Sequence, residues 1–312
     1  MAVFLVLVLG ITGALELFFY IPTPQQAAAS IQVLTYTVPF GGLLRSIHFW
    51  AAQLLLVVSA LHLVRVVFTG SYAPPRRFNY LLGLGLFVLT VFLDFTGYIL
   101  RWDQGVQWAL VTGTNLVRTI PWMGEWMYAL LVGAAQPGAA TLVRFYAWHV
   151  FMLMLPAVIL VVWHAFRVRR DGGIAVPPPV QRRNQERITR YELVRRELVA
   201  VLFTAAALFL LSTLIPAPIA PAINEITSAA THTRAPWFFL WVQEMLKWGD
   251  PFLWGVLVPV LLLLLLALIP YILSKPKSEE WGSWFPRSNR MAQSVLAAMV
   301  IIILILTFLG MR

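Results

Sequence analysis

Four histidines sit in apolar sequence: His48 and His62 in RSIHFWAAQLLLVVSALH, His149 and His164 in YAWHVFMLMLPAVILVVWHAF. An imidazole inside so long an apolar run is costly unless something bonds to it. The spacings are 14 and 15 residues. Four turns of an α-helix take about 14.4 residues, so each pair lies close to one face, about 21–22 Å apart along the axis. A single such histidine reads as a hydrogen-bonded group or a proton relay. Two matched pairs favour another chemistry, because haem iron takes two axial imidazoles and a helix bundle interior is where such cofactors are held. Two bis-histidine haems, His48 with His149 and His62 with His164, would use all four. A zinc or di-iron centre needs its ligands gathered in one place, and these pairs are about four turns apart. A haem plane also needs neighbours without side chains. Gly83 and Gly97 are again 14 apart, and Gly13 stands in the first apolar run. The bland reading of these glycines is close helix packing.

The elements that must position these residues are membrane helices. The chain has 312 residues, 60% apolar and 12% charged, a composition of the membrane class. Apolar runs near the 20 or so residues that cross a bilayer fall at about 2–20, 43–68, 79–100, 143–167, 195–215, 251–273 and 291–310. The sequence thus predicts an all-α integral membrane bundle of about seven transmembrane helices, the first four forming a di-haem four-helix bundle. Three parts are expected: 1–170 as the di-haem domain, 171–194 as a basic linker, and 195–312 as a carboxy-terminal domain. Short surface helices are expected near 104–116 and 122–133. Arginine and lysine crowd the second, fourth and sixth loops, as at Arg76, Arg77, Arg182, Arg183, Arg187, Lys275 and Lys277. The positive-inside rule then puts the N-terminus in the cytoplasm and the C-terminus outside. The net charge of +10 is read as this signal plus contact with anionic lipid, not as nucleic-acid binding. No cleavable signal peptide is evident. Tryptophans such as Trp241, Trp248, Trp281 and Trp284 read as an interfacial belt. Cysteine is absent, which excludes disulfides, thiolate metal sites and thioether-attached haem on this chain.

The runs LLRSIHFW, LHLVRVVFTGSY, LLGLGLFVLTVFLDFTGYILRWDQ, TNLVRTIPWMG and TLVRFYAWHVFMLMLPAVILVVWHAFRVRRDGG carry a resemblance. Residues from about 10 to 170 resemble the cytochrome b subunit of cytochrome bc complexes. The 15-residue second spacing looks like the chloroplast-type and many bacterial members, and residues 195–312 resemble, more loosely, the separate small subunit of the chloroplast type, fused here. The resemblance implies that His48 and His149 hold an outer, low-potential b haem, and His62 and His164 an inner, higher-potential one. It sets Arg45 and Arg65 at the haem edges, where a charge-assisted Arg–carboxylate pair with a propionate is plausible. It also implies quinol oxidation at the outer side and quinone reduction at the inner side. One electron goes to a Rieske iron–sulfur protein, serving a cytochrome c-type subunit, and the other through the haems, with protons moved outward. The implied setting is a bacterial cytoplasmic membrane and a homodimer of the complex.

Three departures from the family pattern bear on this expectation. Its Pro-Glu-Trp-Tyr motif reads Ala235-Pro236-Trp237-Phe238, lacking the carboxylate thought to take a quinol proton. A general base must be titratable and within reach, so Glu244, His232 and Asp103 become candidates beside Trp237. Glu244 also reads as a buried, paired carboxylate. Arg101 replaces a proline and could pair with Asp103. The family's inner glycine on the first span would fall before Met1, so either one haem contact is made differently or the start lies further upstream. A non-bifurcating di-haem conduit between quinone and another redox subunit, and a non-redox membrane protein with structural histidines, are the competing readings.

Overall fold

The structure, a computed structural model, describes residues 1–173, 189–223, 234–273, 277, 280 and 282–312. His232, Trp281, Lys275 and the linker arginines Arg182, Arg183 and Arg187 lie outside the described residues. The described chain is helical, with one isolated bridge pair and no strand. The expected all-α membrane bundle is therefore what the chain forms. Six helical rods of 20 to 32 residues are long and apolar enough to cross a membrane. The first helix, α1 (Ala2–Glu16), has 15 residues and falls short of the seventh full crossing that the apolar run over 2–20 predicts. After Glu16 the backbone turns, and Pro22 and Pro24 cannot continue a helix without losing its hydrogen bonds.

Next comes α2 (Ala27–Tyr36), a short helix that periodicity does not mark, because its buried face is mostly alanine and serine with Leu34 as its one large apolar residue. Then follow α3 (Gly41–Phe68) and α4 (Arg77–Leu100). The surface helices α5 (Gln107–Arg118) and α6 (Gly124–Val132) match the two segments expected near 104–116 and 122–133. One continuous rod runs over Ala139–Arg170. It comprises α7 (Ala139–Ala147), a π-helical turn at Trp148–Leu153, and α8 (Met154–Arg170). The second half holds α9 (Arg190–Leu214), the short α10 (Leu240–Met245), α11 (Val258–Ile272) and α12 (Arg290–Gly310).

Helix α1 packs on α3, α3 on α4, and α4 on the long rod, while α9 lies against α3. Leu5, Ala51 and Leu208 join α1, α3 and α9 in one small core. At the other end Val67, Tyr72, Tyr80, Ile269, Ala292 and Leu296 tie α3 and α4 to α11 and α12. Two polar bonds lock that end: Asn289 Nδ2 donates to Val67 O at 2.7 Å, and Tyr80 Oη donates to Leu266 O at 2.8 Å. Burial pushes the Tyr72 phenol in the adjoining loop up to about 12, so it stays a donor, to Asn289 Oδ1 at 2.5 Å. Beyond the charged first turns of α9, the outward faces of α9, α11 and α12 are mainly leucine, isoleucine, valine and phenylalanine, as a lipid-facing helix requires.

The segment after α9 folds over the end of α3 and α4 that carries His48 and Gly97. Gln104 N donates to Pro221 O at 2.9 Å and Ile223 N to Trp102 O at 3.4 Å. Asp103 and Ala222 form the bridge pair. The buried Arg45 donates to Ala217 O at 3.1 Å and also to Pro218 O. A guanidinium on α3 thereby closes the fold-over segment onto the bundle.

Candidate haem site

Helix α3 and the long rod run in the same direction, and the four histidines meet across them in two pairs. The ring centroids of His48 and His149 are 6.4 Å apart, and those of His62 and His164 are also 6.4 Å apart. Axial metal–imidazole bonds of about 2 Å on each side, plus the ring radii, put two ligand rings about 6 Å apart. The ring planes are steeply inclined, at 68° and 85°. Among the described residues no group of three or more histidine, aspartate and glutamate side chains comes together. The imidazoles therefore meet as pairs and not as a zinc or di-iron cluster.

Equal separations from unequal spacings need a physical reason. Fourteen residues at about 100° each fall about 40° short of four turns, whereas fifteen overshoot by about 60°. The π turn at Trp148–Leu153, which contains His149, absorbs the extra residue in its wider loop of backbone. The remaining helix keeps α3's register, and both pairs close.

The His48–His149 pair is oriented by threonines. Thr12 Oγ1 donates to Val8 O at 2.7 Å and lies 2.8 Å from His48 Nδ1. Its one proton is committed to the carbonyl, so it accepts from Nδ1–H and leaves Nε2 with its lone pair. Thr96 repeats the arrangement: Oγ1 donates to Phe92 O at 2.8 Å and lies 3.1 Å from His149 Nδ1. Ligating histidines use the second nitrogen in this way to set tautomer and ring angle. No threonine holds His164, whose ring faces the Asn79 backbone instead.

Glycines press against three of the four rings. A Cβ at Gly97 would lie 2.7 Å from His149 Cε1, one at Gly13 would lie 3.1 Å from His48 Cε1, and one at Gly83 would lie 3.1 Å from His164 Cε1. None of the glycines with such contacts meets His62. A cavity of about 350 Å³ opens beside His48 and His149, lined also by Gly13, Gly97, Arg45 and Glu16. Paired imidazoles with free nitrogens, glycine-cleared walls and an adjoining cavity fit a flat, two-faced porphyrin.

The other expected residues separate. Arg65 is exposed one turn beyond His62 on α3. Asp103 is buried and held by Arg101 at 2.6 Å, with Ala220 N donating to the same oxygen at 3.1 Å. Glu244 is paired with Lys247 at 2.5 Å and does not line the cavity. Trp237 Nε1 donates to Gln53 Oε1 at 2.6 Å. Gln53 Nε2 in turn donates to Asp94 Oδ1 at 2.8 Å. Sequence reasoning did not mark Thr12, Thr96, Gln53, Glu16 or Asp94. Asp94 had a signal, an isolated carboxylate in the run VLTVFLDFTGY.

A family profile described as cytochrome b (N-terminal)/b6/petB matches residues 53–225. The chain belongs to this family. Similar curated proteins include a cytochrome b6 of Heliobacterium mobile, 40% identical over 166 residues, 53% of this chain and 78% of the relative. A cytochrome b6 of Heliomicrobium gestii is 38% identical over 162 residues, 52% of this chain and 76% of the relative. A solved chain from a hyperthermophilic respiratory Complex III superposes with a TM-score of 0.76 at 21% identity, covering 99% of this chain and 90% of that one. At that identity the likeness is one of fold. The expected resemblance to the cytochrome b subunit of bc-type complexes is borne out, and cytochrome b membership implies haem b binding.

Proposed function

We propose that this cytochrome b chain is the di-haem subunit of a quinol-oxidising bc complex in a bacterial cytoplasmic membrane. With α1 and the turn after it counted as a short seventh crossing, the N-terminus would lie inside and the C-terminus outside. The observation that carries the reading is the pair of histidine rungs with equal 6.4 Å separations on two parallel helices of a cytochrome b-family chain. His48 with His149 would hold the outer haem and His62 with His164 the inner one. Residues 1–170 would form the di-haem domain, with 171–194 as linker and 195–312 completing the quinol site. Bound haem supplies one-electron redox chemistry at two depths of the bilayer.

The chain's own residues orient and enclose. Thr12 and Thr96 hold their imidazoles as Nδ1–H tautomers. Arg45 both lines the outer cavity and fastens the fold-over segment, placing a cation where a propionate is expected. Arg65 offers the same charge beside the inner rung. Trp237, linked to Gln53, sets the altered motif against α3. Phe95 packs on Phe239 at 5.5 Å and on Phe145 at 6.2 Å, an apolar wall suited to a flat quinone ring. The partners of this reading are a Rieske iron–sulfur protein, a cytochrome c-type subunit and a second copy of the complex.

With the inner quinone site blocked by an inhibitor, quinol added to the purified complex should reduce b-type haem only while the iron–sulfur partner is oxidised. Haem reduction that proceeds equally without that partner would assign the chain instead to a non-bifurcating conduit, the reading that the altered Ala235–Phe238 motif favours. A second expectation concerns Thr12. Thr12→Val keeps the shape and removes the acceptor, so the outer haem should transfer to a haem-scavenging protein about 10- to 100-fold faster. Thr12→Ser should restore the slow rate.

A further inference from the structure

The altered motif lacks its carboxylate, and neither Asp103 nor Glu244 stands free to replace it: Asp103 is tied to Arg101, and Glu244 to Lys247. Asp94, unlike both, has no cation bonded to it among the described residues, although Asp103 too keeps one buried oxygen, Oδ1, without a partner. It lies on α4, 8% exposed, and lines the cavity beside the His48–His149 rung. Its Oδ1 accepts from Gln53, and its Oδ2 is buried with no partner. Gln53 is also the residue that accepts from Trp237 of the altered motif. One amide therefore spans the gap between Trp237 and Asp94. An unpaired carboxylate inside a membrane bundle is expensive and marks a functional group by default.

We propose that Asp94 takes a proton released when quinol is oxidised beside Trp237, in place of the missing motif carboxylate. This assignment rests on the quinol-oxidising reading above. One O–H bond of the quinol breaks and one carboxyl O–H forms at Asp94 Oδ2. The quinol's two electrons leave to the one-electron acceptors of that reading, the iron–sulfur protein and haem, and its other proton leaves toward the outer side. Gln53 is a positioning residue: its amide fixes Oδ1, leaves Oδ2 without a partner, and ties the carboxyl to the motif.

The surroundings suit a carboxyl that gains and loses a proton. Arg45 and Arg101 line the same cavity, but Arg45 bonds the fold-over carbonyls and Arg101 bonds Asp103. Neither is a hydrogen-bond partner of Asp94. The other titratable groups lining the cavity are Glu16, Tyr20, Tyr98 and Tyr146, besides the two ring ligands. Tyr20 donates to Leu100 O and Tyr98 to Gly105 O. Glu16 is a second carboxylate of the cavity, with Oε1 unpartnered, and serves as the comparison.

The test is infrared difference spectroscopy of the whole complex, quinol-reduced minus oxidised, alongside turnover. A protonated-carboxyl band is expected in the native complex, absent in Asp94→Asn and present in Glu16→Gln. Turnover of Asp94→Asn should fall about 100-fold with haem content and visible spectrum unchanged, and Asp94→Glu should restore the band. If Asp94→Asn fails to assemble, Gln53→Met is expected to shift the band while leaving the carboxyl in place. An unchanged band in Asp94→Asn or in Gln53→Met, or a band lost only in Glu244→Gln or Glu16→Gln, overturns the assignment. A native complex that oxidises no quinol removes the functional reading itself, and the Asp94 proposal with it.

Discussion

On the proposed two-haem reading, in which each iron takes both imidazoles of its own rung, His48→Leu should leave the assembled chain with about half of its haem, and His164→Leu should remove the other half. Within a helix the rungs are separated by about 21 Å, so neither can lend a ligand to the other. Leucine is close in volume and apolar, which keeps the loss at the ligand and away from general unfolding. The two variants should also lose different haems. His48→Leu removes a ligand whose Nδ1 is held by Thr12 and whose ring lies against Gly13. His164→Leu removes one that faces the Asn79 backbone rather than a threonine and whose ring lies against Gly83. The unlike surroundings should give the two remaining haems unlike midpoint potentials in redox titration. Haem content per chain, read on the purified complex as the pyridine adduct, checks the first statement. A variant that keeps both irons six-coordinate would refute the two-rung account.

The rungs are legible in sequence because an intramembrane histidine is conspicuous and the helical repeat converts spacing into a shared face. The same arithmetic finds Gly83 and Gly97. What it misses has definite physical causes. Helix α2 carries its buried face on Ala27, Ala28, Ser30 and Leu34, too small and mixed to stand out from a loop. Thr12 and Thr96 look like ordinary residues of membrane helices, and their role exists only where a second helix brings an Nδ1 against them. Glu244 is attractive from its place seven residues after Trp237, but the next turn supplies Lys247, which pairs with it. Asp94 lies far in sequence from the altered motif whose carboxylate is missing. Its link to Trp237 runs through Gln53 on α3, across 184 residues of chain from Trp237 to Gln53, and no linear pattern reports such a contact. The apolar run over 2–20 suggests a full crossing, but the length of an apolar run does not say where the helix stops.

The unequal spacings lead to the second large effect, a contrast between two single-residue deletions. Deleting Phe151 should leave both haems bound, whereas deleting Val57 should cost the chain about half of its haem. Both residues are apolar and lipid-facing, 61% and 41% exposed, so neither deletion removes a buried contact. They differ in the backbone around them. Val57 lies in regular α-helix between His48 and His62. Losing one residue there rotates one histidine by about 100° and shifts it by about 1.5 Å relative to the other, so one rung or the other opens. Phe151 lies inside the π turn, which already holds one residue more than a regular turn. Its removal lets the rod relax to plain α-helix with a 14-residue interval, the interval that α3 uses. Single-turn π bulges of this kind often lie at functional sites, and here the bulge carries His149 itself. Haem content and the reduced-minus-oxidised spectrum of the two deletions decide the matter. If the Phe151 deletion loses haem as fully as the Val57 deletion, the π turn does not set the register, and the equal rungs need another cause.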